Sequence, residues 1–124
     1  MYNKTTDLAY LCGLFDIGGC IKISVPFESE EASLYIWITS KNTQVMKFLE
    51  LFGAKVDQKA DGQFRAKWRD KYAFNMLKNM MPYIKIKREQ AKVGIEFFAE
   101  KLKDNTIDTE KYQIRLKLAK SATS

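Results

Sequence analysis

No histidine occurs anywhere in the chain, and cysteine and proline are scarce, at two each: Cys12 and Cys20, Pro26 and Pro82. Without imidazole there are no Ser-His or Cys-His nucleophile pairs. With no CxxC spacing either, a zinc site has nothing to be built from, since zinc takes clustered sulfur and imidazole ligands. A resident metal would have to be a hard ion held by oxygen, such as magnesium. The sequence also lacks a signal peptide and any apolar run long enough to span a bilayer. No membrane partner is therefore expected. The expected setting is intracellular and reducing (cytoplasm, nucleoid or organelle matrix), with both thiols as buried fillers. Acidic residues are the minority charge, 15 against 21 Lys and Arg, which leaves a formal net charge of +6. That excess leans toward an anionic partner, of which nucleic acid is the commonest.

What is present suits one domain over residues 1–124, with 46% hydrophobic residues to build a modest core. Thr5, Thr6 and Asp7 offer N-caps to a first helix carrying Leu8, Leu11, Cys12 and Phe15, with Gly19 as its stop. Cys20 to Phe27 and Ser33 to Ser40 alternate and predict a hairpin, with Ile21, Ile23, Val25, Leu34, Ile36 and Ile38 facing inward. Asn42 caps a second helix through Phe52, which Gly53 ends. Lys55 to Lys59 and Phe64 to Arg69 form a second hairpin across an Ala-Asp-Gly turn. Asp70 caps a third helix, which Pro82 breaks, and a fourth runs from about Ile84 to Leu102 with Ala91, Ile95, Phe98 and Leu102 as its stripe. Residues 106–120 alternate like a strand at Tyr112, Ile114, Leu116 and Leu118, but their polar residues favour helix, so a final helix is expected. The sum is an α+β fold: αββαββα, one antiparallel four-stranded sheet with helices on one face, plus that C-terminal helix.

The stretch LCGLFDIGG, Leu11 to Gly19, resembles the LAGLIDADG motif of homing endonucleases and related maturases and regulators. Residues 81–98, MPYIKIKREQAKVGIEFF, are similar to that family's proline-aromatic turn, basic loop and following helix. The element order extends the resemblance over nearly the whole chain. It implies that the motif helix packs on a counterpart. With only one motif present, the counterpart is a second copy, and the interface would hold Ala9, Cys12, Gly13 and Asp16. Removing side chains at Ala9 and Gly13 would let two helix backbones approach closely. A glycine inside a helix costs roughly 1 kcal/mol against alanine, so it wants a reason; packing within the monomer is the other one.

In relatives that cut DNA, the motif's last acid holds divalent ions over the scissile phosphates; here that position is Gly18. Asp16 occupies the motif's first acidic position, two residues earlier, and is a poor substitute ligand because it points elsewhere. No metal ligand is therefore certain. The resemblance also carries over Lys87 beside the cleavage centre, with Ser40 and Gln44 as weaker polar matches. Three readings of Gly18 stay open: a natural loss of cleavage, a substitution that traps an uncut complex, or another carboxylate in its place. The cofactor is accordingly none if the chain is inactive and Mg2+ if nuclease activity is retained.

The family lays the open face of its sheet along the major groove of duplex DNA. Alternation assigns that face Lys22, Ser24, Ser33, Tyr35, Trp37, Thr39, Lys55, Asp57, Lys59, Gln63, Arg65, Lys67 and Arg69. Six are basic and one acidic, as phosphate contact requires, and Arg and Gln can also read base edges. Against this stand Glu28, Glu30 and Glu31 at the first hairpin tip, and the apolar bulk of Tyr35 and Trp37. The expected function is thus a homodimeric double-stranded-DNA-binding protein with cleavage lost or impaired. The alternatives are an active Mg2+-dependent homing endonuclease, or a protein-binding antagonist or adaptor of phage, viral or other mobile-element origin.

Overall fold

A computed structural model of the protein describes residues 4–25, 31–103 and 107–123. Among these, helix α1 (Lys4–Gly18) leads directly into strand β1 (Gly19–Ser24), and β2 (Ser33–Ser40) returns beside it. Then come α2 (Thr43–Glu50), β3 (Lys55–Gln58), β4 (Phe64–Arg69), α3 (Lys71–Met80), α4 (Arg88–Lys103) and α5 (Thr109–Thr123). The four strands form one antiparallel sheet in the order β1-β2-β4-β3, so the two hairpins join through β2 and β4. The expected α+β architecture is what forms.

Alternation decides the two faces. Ile21, Ile23, Leu34, Ile36, Ile38, Ala66 and Trp68 are buried against Leu11, Phe15, Leu77 and Phe97 of the helices. The Trp68 indole donates to Phe52 O at 3.0 Å, which satisfies its one buried polar atom. Gly94 lets α4 approach closely, since a Cβ there would stand 3.0 Å from Leu77 Cδ1.

Several boundaries differ from those expected. Helix α1 already includes Thr5, Thr6 and Asp7, so none of them is its cap. Gly19 is the first residue of β1, where a Cβ would lie 2.3 Å from Phe15 Cδ1; it allows a close approach and does not stop the helix. Strand β1 ends at Ser24 and Val25 is exposed; the expected strand end at Pro26 and Phe27 and the acids Glu28 and Glu30 lie outside the described residues. Asn42 caps α2 as expected, accepting from the amides of Gln44 and Val45. That helix stops at Glu50, and the turn beyond it puts Gly53 at φ +88°. Strand β3 stops at Gln58, so Lys59 and Gln63 flank the Ala60–Gly62 turn.

Asp70 holds the cap position of α3 but makes no cap bond. At φ 52° its carboxylate turns to β2, taking the Leu34 amide at 3.2 Å and the Ser33 hydroxyl at 3.5 Å. Helix α4 begins at Arg88, not near Ile84, because residues 84–87 form a loop anchored by buried Ile84. Leu102 is exposed, and the buried stripe runs instead through Gln90, Ala91, Val93, Gly94, Phe97 and Phe98. The tail is helical, but from Thr109; Thr106 lies outside the described residues. Tyr112 and Leu116, one helical turn apart, are buried, while Ile114 and Leu118 are not.

Candidate nucleic-acid interface

The end of α1 concentrates the motif residues. Asp16 sits in the last turn, where the partial negative charge of the helix C-terminus disfavours a carboxylate. The loop before α4 compensates for it. The Lys85 amide donates to Asp16 Oδ2 at 2.8 Å, the Lys87 amide donates to Oδ1 at 3.1 Å, and Lys87 Nζ donates to the Asp16 carbonyl at 3.2 Å. Both carboxylate oxygens are thus engaged, and the Lys87 ammonium stands at the foot of the helix. Gly18 is exposed, and a Cβ there would meet only Thr39 O at 3.9 Å. Ser40 lines the same groove as Gly18, but its hydroxyl accepts from the Asn42 amide at 3.0 Å, and Gln44 is exposed on α2.

Gly18 offers no side-chain oxygen to a divalent ion, each Asp16 carboxylate oxygen already accepts a backbone amide, and no cluster of three or more His, Cys, Asp or Glu occurs among the described residues.

The open face of the sheet carries its cations in order. Lys22, Lys55, Arg65, Lys67 and Arg69 project from it, with Asp57 opposite Arg65 in the register. The aromatic residues of β2 lie beneath the cations of β4. The Arg65 guanidinium stands 4.5 Å from the Trp37 ring centroid, and Lys67 Nζ and the Arg69 guanidinium stand 5.5 and 5.3 Å from that of Tyr35. Arg65 faces Thr39 across the ladder and Lys67 faces Trp37, so each reaches diagonally to its ring. Each such contact contributes about 0.5–1 kcal/mol at an exposed site and holds a long side chain in place. The apolar patch expected at Tyr35 and Trp37 is therefore covered by charge. Ser33 belongs to this face but is only 3% exposed, closed off by Asp70 and by Arg69, whose Nη2 donates to its hydroxyl at 3.3 Å.

The outer side of α1 is a third feature. Ala9, Tyr10, Gly13 and Gly18 are exposed, and Ile17 is 84% exposed. With Leu14, Ile38, Thr39, Ser40 and Val45 they line an apolar groove of about 530 Å³. A Cβ on Gly13 would meet nothing within 4 Å, so packing within the chain does not require that glycine. Cys12 is not on this side. It is 2% exposed in the core, its Sγ 3.8 Å from Met80 O, and burial pushes its thiol pKa up from 9.0 to about 11. Asp16 likewise faces the 85–87 loop. Of the four expected interface residues, only Ala9 and Gly13 share the exposed side. Tyr10 and Ile17, which recur with them at helical spacing, share that exposed side as well.

No family model and no curated protein matches the chain. Solved structures do. The homing endonuclease I-CvuI, in complex with the I-CreI target, superposes with a TM-score of 0.78 at 18% identity, over 93% of this chain and 82% of that one. The chain has the LAGLIDADG homing-endonuclease fold. The archaeal intron-encoded homing endonuclease I-Vdi141I, complexed with DNA, matches over 96% of this chain and 99% of its own, with a TM-score of 0.63 and 13% identity. The LAGLIDADG meganuclease I-AabMI, bound to uncleaved DNA, has a TM-score of 0.64 and 16% identity over 94% of this chain but only 44% of its own. The present chain thus spans a whole LAGLIDADG fold of one size and slightly under half of another. In that fold, LCGLFDIGG occupies the end of α1 and its junction with β1.

Proposed function

We propose that this is a single-motif LAGLIDADG protein that binds double-stranded DNA as a homodimer and does not cleave it. The observation that carries the proposal is the open sheet face. Five strand cations project from one side of a sheet whose other side carries no charge, and three of them are laid over aromatic rings. Rigidly held cations in a row suit a polyphosphate backbone, and an arginine so held can also read a base edge. A protein-binding antagonist would use Tyr35 and Trp37 as apolar anchors, and here those rings lie under charge. The DNA bound by I-CvuI, I-Vdi141I and I-AabMI supports the same reading for this chain.

The homodimer follows from the groove along α1. Its occupant would be the same helix of a second copy, covering Ile17 and Tyr10 and giving Gly13 its reason. The coverage of I-AabMI, at slightly under half, is consistent with one copy serving as half of a larger assembly. Absence of cleavage follows from the donor set at the foot of α1, which offers no carboxylate free to hold a metal.

The test is a duplex library incubated with magnesium and either the parent chain or its Gly18→Asp form. The parent is expected to retain duplex and leave it intact. The room around Gly18 admits the new carboxylate, and the substituted form is expected to cut or nick. Joint replacement of Arg65 and Lys67 by alanine should abolish most retention. Brisk cutting by the parent would end the proposal of lost cleavage, and undiminished retention by the double variant would remove the sheet as the binding face.

A further inference from the structure

Helix α5 carries a second set of cations outside the sheet. Gln113, Lys117 and Lys120 fall at i, i+4 and i+7, on one helical stripe. Gln113 Nε2 donates to Ile23 O at 2.9 Å, and Lys120 Nζ lies 4.0 Å from Cys20 Sγ. The stripe therefore runs antiparallel to β1, along the edge that no other strand covers among the described residues. Lys22, Ile23, Gln113, Leu116, Lys117 and Lys120 line a shallow groove of about 250 Å³ there. No carboxylate lines it, and no described carboxylate pairs with its three lysines. The contrast on the same helix is Arg115, which is bonded to Glu96 of α4. Lys22 belongs both to this groove and to the open face of the sheet, so the two basic surfaces are continuous.

We propose that this groove is a docking site for the phosphate backbone of one DNA strand, beside the major groove that the sheet occupies. The proposal rests on the DNA-binding reading above. A sheet whose strands run along a groove turns its two free edges toward the two backbones. At the β1 edge, what meets the backbone is the α5 stripe. Lysines there act as point charges on phosphates, positioning the duplex without reading sequence.

The test replaces Lys117 and Lys120 with alanine in the full chain and measures binding to a random-sequence duplex over a series of salt concentrations. Lys47 and Lys78, exposed on α2 and α3 behind the sheet, are replaced in a control that removes the same net charge. The α5 variant is expected to bind at least about tenfold more weakly at moderate salt. Its log-log salt slope should shrink by about 1.8, the release from two phosphates. The control should change much less, and Lys117→Arg with Lys120→Arg should bind like the parent. Equal losses in the α5 and control variants would overturn the proposal, because net charge alone would then explain both. Parent-like binding by the α5 variant would overturn it while leaving the sheet as the DNA site. A parent chain that binds no duplex at all would remove both.

Discussion

A Cβ on Gly19 would stand 2.3 Å from Phe15 Cδ1 and 2.6 Å from the Phe15 carbonyl oxygen, whereas one on Gly18 would touch only Thr39 O at 3.9 Å. The two glycines adjoin in the motif but answer to different constraints. Gly19 is dictated by the helix-to-strand junction, because a side chain would push the chain off buried Phe15. Gly18 is dictated by nothing in its surroundings, so the absence of a carboxylate there is a property of the sequence and not of the space. Gly19→Ala is accordingly expected to lower stability by about 1–3 kcal/mol, as overpacking against a fixed neighbour does. Gly18→Ala should be neutral, or stabilising by up to about 1 kcal/mol through the unfolded chain. Urea denaturation of the two variants side by side checks this, and equal effects would refute it.

At the scale of elements, the decisive contact joins the end of α1 to the loop before α4. Asp16→Asn keeps the shape but leaves one amide oxygen where two carboxylate oxygens accepted, and turns an NH2 toward a backbone donor. The amides of Lys85 and Lys87 should then exchange with solvent at least tenfold faster, and stability should fall by about 1–3 kcal/mol. Unchanged protection at both amides would show that the loop is held by other means. This contact also shows where the sequence stopped being readable. The strand pairs, the Asn42 cap and the Ala-Asp-Gly turn are local patterns, and each formed as its residues predict. The start of α4 is set by a carboxylate some seventy residues away in the chain, which no local window contains. Asp70 misled for the same reason: its cap position is local, but its partners at Leu34 and Ser33 are not. The tail was read correctly as a helix although its pattern is degenerate: Tyr112, Ile114, Leu116 and Leu118 satisfy a two-residue period and contain a four-residue one.

At the scale of the whole molecule, two surfaces stand out among the described residues: the cations of the open sheet face and the β1 edge, and the exposed Ala9, Tyr10, Gly13 and Ile17 along α1. The cationic face was legible, because a period of two sorts Arg65, Lys67 and Arg69 from Ala66 and Trp68 without any structure. The lysines of α5 were not, since nothing in the sequence says which strand edge the tail covers. The exposed side of α1 makes a clean test of assembly. A bulky residue at Gly13 meets no atom of its own chain, so Gly13→Phe should leave the melting temperature of the monomer fold nearly unchanged. Light scattering should nevertheless report half the parent mass. A dimer of parent mass would exclude α1 as the seam.

The grip of Asp16 on the 85–87 loop has a metric consequence. Lys85 and Lys87 are tied to the very helix that would form the seam, so two paired copies would hold their basic loops at a separation that neither copy can adjust alone. In such a pair one carboxylate would work like the pin of a caliper, setting the interval at which the two basic loops could meet a double helix on either side of the pair's axis.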